Sequence, residues 1–207
     1  MKDSVEGFIL TGGASRRMGT DKSQLIVNGE SFVDRIAREL APVTTSVKLV
    51  GDREASSQFE TARDIYPGWG ALGGVHAALA GCQSPWALIV ACDFPLVTTE
   101  LFRELATTTE KFEAVAPVQN DGIPQPLCTL YRVDPCLALA TELIKCGERK
   151  PIALLQSVRT RWVSFSELSS LAGANHFFDN INTPEDYTRL SEKGLSADAA
   201  MRPNDSA

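Results

Sequence analysis

Apolar positions in this chain fall into short runs and helical spacings that alternate. Val5 to Leu10 (VEGFIL) is an apolar run that stops at Thr11-Gly12-Gly13, as a buried strand feeding a glycine-rich loop would. From Ser31 to Leu40, Phe32, Ile36 and Leu40 recur every four residues with Val33 beside them. That spacing predicts a helix with Ser31 as N-cap, closed by Pro42. Ser46–Val50 reads as the next strand. Ala71–Cys82 reads as a small-residue helix with Leu72, Val75, His76 and Leu79 along one side. Trp86–Ala91 (WALIVA) is nearly all apolar, which predicts a strand covered on both faces. Thr98 opens a helix with Leu101, Phe102 and Leu105 on its inner face. Two strands are expected at Glu113–Pro117 and Pro126–Tyr131. Asp134 is expected to cap a helix reaching Lys145, with Leu137, Ala140, Leu143 and Ile144 facing inward, before a final strand at Arg161–Val163. Strands alternating with helices predict an α/β fold with a mainly parallel sheet. Residues 1–193 form one expected domain. Gly194–Ala207 is small and polar, contains Pro203, and is expected to be a disordered tail.

Composition narrows the function classes. With 43% hydrophobic and 22% charged residues in 207, the chain is neither disordered, collagenous nor a coiled coil. A chain of this size buries roughly 70% of its unfolded surface and folds without staples. Its net charge of -6 argues against polymeric nucleic acid as a partner. The five cysteines are odd in number and contain no C-x-x-C, so reduced thiols are expected rather than disulfides or a zinc site. No apolar run reaches the roughly 18 residues of a membrane span. The start, MKDSVEG, carries acids where a signal peptide needs positive charge. A cytoplasmic location with no membrane partner is the expectation.

The loop Thr11-Gly12-Gly13-Ala14-Ser15-Arg16-Arg17-Met18-Gly19-Thr20-Asp21-Lys22 concentrates three cations in an acidic chain. Its glycines permit close approach of the backbone to a ligand, Arg can bind phosphate bidentately, and Lys supplies a point charge. Ligands of α/β sheets bind at the carboxyl ends of strands, where this loop would lie. It is neither a Walker A loop nor a G-x-G-x-x-G fingerprint. On composition it reads equally as an anion cradle or as a solvated basic turn.

The same stretch, from Leu10 to Lys22, closely resembles the signature of the molybdenum cofactor guanylyltransferase family, the MobA-like nucleotidyltransferases. Four further segments fit in order. They are Gly70-Ala71-Leu72-Gly73-Gly74-Val75, Cys92-Asp93-Phe94-Pro95, Gln125-Pro126-Leu127-Cys128 with Tyr131, and Asn180-Ile181-Asn182-Thr183-Pro184-Glu185-Asp186. The resemblance implies a single Rossmann-like α/β domain with helices on both faces. It implies Mg²⁺-dependent transfer of GMP from GTP to molybdopterin, molybdenum-loaded or not, releasing pyrophosphate and forming a guanine dinucleotide cofactor. Carried over by position, Leu10, Thr11, Gly12 and Gly13 lie against the nucleotide, Lys22 holds its phosphates, and Val50 and Asp64 frame the guanosine. Asp93 binds the metal, one of Arg16 and Arg17 faces the triphosphate, and Asn180 and Asn182 lie on the acceptor side. A labile product is compatible with hand-over to other cofactor-biosynthesis or molybdoenzyme-delivery proteins. Thr11 stands where alanine is usual, Ala71 where proline is common, and Trp69 is bulkier than the pattern expects.

The chemistry explains why such residues are needed. The attacking phosphate is already ionised, so no strong general base is required. The difficulty is bringing two polyanions together, which positioning and electrostatics must solve. Asp93 directly follows the WALIVAC strand, where one carboxylate can hold Mg²⁺ alongside phosphates and water. Simpler readings stand beside these. Asp93 and Asn182 could cap turns or helices, Asp64 could pair with Arg63, and Arg149 and Lys150 could equally reach an anionic acceptor or form a solvated turn. His76 reads as a packing or surface residue, and His176 has no partner that points to catalysis. A same-fold enzyme using CTP with molybdopterin, or acting on a sugar phosphate, is the alternative. The Gly12-Gly13 pair favours GTP.

Overall fold

Seven strands form one sheet, in the order β5-β4-β1-β6-β8-β7-β9, in a computed structural model. It describes residues 4–11, 26–27, 29–51, 58–107, 109, 111–181 and 186. The strands are β1 (Val5–Leu10), β4 (Val47–Val50), β5 (Glu60–Ala62), β6 (Trp86–Ala91), β7 (Ala114–Pro117), β8 (Cys128–Arg132) and β9 (Thr160–Val163). A separate two-stranded ribbon, β2 (Ile26–Val27) and β3 (Glu30–Ser31), leads into the first helix. Parallel pairing joins β5, β4, β1 and β6, and joins β7 to β9. Only β8 runs backward among the described strands, antiparallel to both β6 and β7. The sheet is therefore mainly parallel, as expected, with one reversed strand, β8, between β6 and β7.

Helices cover both faces. On one lie α1 (Phe32–Leu40), α3 (Thr99–Ala106) and α6 (Phe165–Leu168). Their apolar sides pack with Ile9, Leu49, Leu88 and Val90. On the other lie α2 (Gly70–Gly81), α4 (Val133–Lys145) and α5 (Ile152–Ser157), against Phe8, Ala87, Ile89 and Tyr131. β6 is buried along its whole length because both layers cover it. Successive residues of a strand face opposite sides, so a strand between two layers needs every position apolar.

Local signals set most boundaries. Ser31 Oγ accepts the N–H of Asp34, and Thr98 Oγ1 accepts that of Leu101, capping α1 and α3. α4 differs from expectation: it starts at Val133, with Arg132 as the flanking residue, so Asp134 lies inside the first turn. Pro135 is tolerated there because the first-turn N–H groups have no helical partner. Leu137 and Leu143 are only partly buried, and Val133 and Cys136 take their place on the inner face. β5, α5 and α6 had no counterpart in the sequence pattern. The expected tail, Gly194–Ala207, lies outside the described residues. Among the described residues no helix is long and apolar enough to cross a membrane.

Candidate active site

Strand register builds the site. Leu10 pairs with Val50 on one side and Ala91 on the other, and Val50 pairs with Ala62. Four strands thus end side by side at one edge. The residues leaving them are Thr11 after β1, Gly51 after β4, Asp64 shortly after β5, and Cys92-Asp93 after β6. Cys92 donates its N–H to the Leu10 carbonyl at 3.1 Å, so the Asp93 turn is joined directly to the root of the first loop. Leu10 and Val50 are buried, at 6% and 2% exposure, and can offer a ligand little but main chain.

Thr11 has a specific local task. Its N–H and its hydroxyl both donate to the Val50 carbonyl, at 2.8 and 3.0 Å. An alanine could make only the first of these bonds. The hydroxyl stitches β1 to β4 just where the glycine-rich loop departs.

The start of α2 is pressed close to this edge. A Cβ on Gly74 would lie 3.5 Å from a Leu10 methyl, and one on Gly73 would lie 3.0 Å from Trp69 Cβ and 3.2 Å from the Tyr66 carbonyl. Glycine at 73 lets the helix sit against the turn that carries Asp64, whereas a Cβ at 74 would make only an ordinary contact with β1. That turn is closed by Asp64 Oδ1, which accepts the Tyr66 N–H at 2.9 Å. No ion pair joins Asp64 to Arg63 among the described residues. Gly68 and Gly70 have φ of +76° and +72°, a conformation that side chains other than glycine's resist.

Trp69, between those glycines, anchors the far side. Its indole N–H donates to the Glu148 carbonyl at 2.9 Å, and the Arg149 guanidinium lies 4.7 Å over its ring. Glu148 Oε1 accepts the N–H groups of Arg149 and Lys150, and the Arg149 carbonyl accepts the Leu72 N–H. The 148–150 loop is therefore a brace for the beginning of α2. His76 is buried behind it. The Thr141 hydroxyl donates to the Leu137 carbonyl, which leaves it to accept from His76 Nε2–H at 3.1 Å. Burial holds the His76 pKa below its ordinary value, against the opposing pull of Asp64. A neutral packing histidine results.

Asp93 is partly buried, with Oδ1 closed to solvent. Its carbonyl accepts the Ile181 N–H at 3.3 Å, which draws the Asn180 segment to the same edge. No group of three or more His, Cys, Asp or Glu side chains able to hold a metal occurs among the described residues. A hard carboxylate oxygen at a strand end nevertheless suits Mg²⁺, which takes one or two protein carboxylates and completes its shell with phosphate and water. Cys82 and Cys136 are poor nucleophiles: burial pushes Cys82 up to about 11 and Cys136 up to about 12.

Residues 7–160 match the family model described as the MobA-like NTP transferase domain. The chain belongs to that family. A probable molybdenum cofactor guanylyltransferase of Pelotomaculum thermopropionicum is 34% identical over 186 residues, 88% of this chain and 90% of the relative. The molybdenum cofactor guanylyltransferase of Vibrio cholerae is 31% identical over 187 residues, with 88% and 89% covered. Molybdopterin-guanine dinucleotide biosynthesis protein A of Archaeoglobus fulgidus superposes with a TM-score of 0.79 at 24% identity, over 92% of this chain and 99% of that one. A 2-C-methyl-D-erythritol 4-phosphate cytidylyltransferase of Thermus thermophilus gives 0.68 at 14% identity, over 94% and 100%. Those two structural likenesses are of fold alone.

In this MobA-like transferase, Leu10, Thr11, Val50, Asp64 and Asp93 converge on one edge, and Asn180 approaches beyond Asp93. Gly12, Gly13, Arg16, Arg17, Lys22 and Asn182 lie outside the described residues, as do Thr183 and Pro184. A cavity of about 290 Å³ opens beyond the ends of β7 and β9, lined by Gln119, Asp121, Phe165, Asn175, Phe178 and Asp179 among others. Its hairpin carries an Asp121-Gly122 turn with φ +83° at Gly122, a readable turn signal. Phe178 meets Phe94, next to Asp93, edge to face at 5.8 Å. His176 meets Asp179 Oδ2 through Nδ1 at 2.8 Å.

Proposed function

We propose that this protein transfers GMP from GTP to the terminal phosphate of molybdenum-loaded molybdopterin. An acceptor oxygen forms a bond to the α-phosphorus, the bond to the β-phosphate oxygen breaks, and its electron pair leaves on pyrophosphate. The observation that carries this reading is the bond between Cys92 N–H and the Leu10 carbonyl. It sets Asp93 beside the root of the glycine-rich loop, in a chain of this family.

Each residue has a part in that reading. The segment after Thr11, with Gly12 and Gly13, would bind the triphosphate, and Lys22 and Arg16 would balance the charge growing on the leaving pyrophosphate. Asp64, Val50 and Leu10 frame the nucleoside. Asp93 would hold Mg²⁺, whose contribution is to neutralise phosphate oxygens and polarise the phosphorus. Asn180 and Asn182 face the acceptor, and the neighbouring cavity, rich in amides and carboxylates, suits the N–H edge of a pterin. One domain, residues 1–193, carries all of this, followed by a tail from Gly194. The reaction is placed in the cytoplasm.

The test is pyrophosphate release from the full chain with Mg²⁺ and molybdenum-loaded molybdopterin, with GTP, CTP and ATP compared. Release with GTP alone, lost in Asp93→Asn, is the expected result. Release with CTP alone would overturn the choice of nucleotide, and release with none would overturn the acceptor.

A further inference from the structure

The Asp93 turn is weakly held by its own backbone. Phe94 N–H reaches the Ala91 carbonyl at 3.2 Å and Val97 N–H reaches the Phe94 carbonyl at 3.4 Å, both at the long end of the range. Pro95, in the middle, has no N–H to give. The short bonds come from elsewhere. Arg35, on α1, donates Nε–H to the Pro95 carbonyl at 2.8 Å. Glu39, one helical turn later, accepts the Thr99 N–H and hydroxyl on Oε2, each at 2.9 Å, and its carbonyl accepts the same hydroxyl at 2.9 Å. Residues four apart on a helix share a face, so α1 grips the 92–99 segment at two points.

The grip extends toward the first loop. Arg38 pairs with Glu39 at 2.7 Å and with Glu30 of β3 at 3.0 Å. The ribbon that follows the glycine-rich loop is thus tied, through one helix, to the turn that carries Asp93. Arg35 is half-buried, as Glu39 is, and it is the member that touches the turn next to Asp93 itself. A bond from a guanidinium is stronger than a neutral one, and its planar geometry fixes direction as well as distance.

We propose that Arg35 is a positioning residue for the reaction, holding the Pro95 carbonyl so that Asp93 stays aimed at the sheet edge where metal and nucleotide meet. This rests on the reading of Asp93 as the metal ligand. An arginine that served folding alone would lower the melting temperature and leave metal affinity per folded molecule untouched.

The experiment is Mn²⁺ binding to the full chain in the presence of GTP, read from the free-ion paramagnetic resonance signal, with melting temperature and kcat measured in parallel. Arg35→Met keeps the aliphatic stem and removes the donor. Mn²⁺ affinity and kcat are each expected to fall about tenfold, the scale of one lost hydrogen bond to a charged group. KM for the acceptor should stay unchanged, and Arg35→Lys, which keeps one donor, should fall between. Should Arg35→Met fail to fold, weakened Mn²⁺ binding by Arg35→Lys supports the proposal, and unchanged binding overturns it. Unchanged Mn²⁺ affinity in a folded Arg35→Met, whatever its melting temperature, overturns it too. Asp93→Asn separates the two ideas. If it loses Mn²⁺ while Arg35→Met does not, only the positioning role falls. If Asp93→Asn binds Mn²⁺ normally, the metal reading falls and takes the positioning role with it.

Discussion

Two acidic side chains on neighbouring strands meet different surroundings. Glu6, near the amino end of β1, is 5% exposed. Lys48 Nζ stands 2.9 Å from its Oε2, and the Gln83 N–H donates to Oε1 at 2.9 Å. Burial alone would raise its pKa, but Lys48 and the Gln83 N–H outweigh it and hold the carboxyl below its ordinary range. Asp93, just past the carboxyl end of β6, has an equally sheltered oxygen and stands at the edge where strands release their loops. One end of the sheet spends its carboxylate on holding strands and α2 together. The other has its carboxylate among the loops that leave the carboxyl ends of the strands. On the proposed reading of Asp93, the direction of parallel strands separates stability from chemistry.

Substitutions can break that division. Asp93→Asn should lower kcat by about 10²–10³-fold, the scale of one lost electrostatic contact in a transition state, with the melting temperature little changed. A large fall in melting temperature would make Asp93 a second Glu6. Lys48→Met should do the reverse. It strands a buried carboxylate and should remove about 3–5 kcal/mol of stability in denaturant titration, while kcat of the folded protein is kept. A fall in kcat at full folding would show the two edges to be coupled.

Acid gives a milder probe. The folded pKa of Glu6 is lowered from 4.5, so its contribution is complete above that value and is lost as pH falls through the folded pKa. Stability measured from pH 6 downward should therefore drop more steeply in the wild type than in Lys48→Met, which lacks the pairing to lose. Equal slopes would remove Glu6 from the account. Gly81→Ala tests the packing around the same edge. Its carbonyl accepts from Lys48 Nζ at 3.3 Å, and an added Cβ would meet Ala62 Cβ at 2.9 Å. A loss of about 1–3 kcal/mol is expected, with turnover unaffected.

Much of this was readable from the chain because burial on two sides demands unbroken apolar runs. β1 and β6 announced themselves in that way, and α1 and α3 did so by the helical spacing of their apolar positions after the capping residues Ser31 and Thr98. β5 did not, because it is an edge strand of three residues of which only Ala62 is buried. Four-residue α6 buries only Leu168, which is too little for a period to show. The reversed direction of β8 was equally silent, since its buried positions carry no sign of polarity. The position of Asp93 at the carboxyl end of a buried strand was legible by its place after WALIVAC. The Arg149 contact with Trp69 was not, since it joins loops far apart in sequence through geometry alone. Thr11 lay between these cases. Its departure from alanine was visible, and its reason, the Val50 carbonyl, needed the sheet.

The place of β6 in the sheet bears on how the protein is made. β1 leaves the ribosome first, yet its partner on one side, Trp86–Ala91, is synthesised only after α1, β4, β5 and α2. The edge is completed later still, when Ala91 N–H finds the Leu127 carbonyl at 2.8 Å. Pairings between such distant segments form slowly, and an unpartnered apolar strand invites aggregation while it waits. A nascent chain that ends before Leu127 has its glycine-rich loop and no finished ledge beneath it. Nucleotide capture would then begin only once most of the protein exists, so unfinished chains would not compete with finished protein for nucleotide.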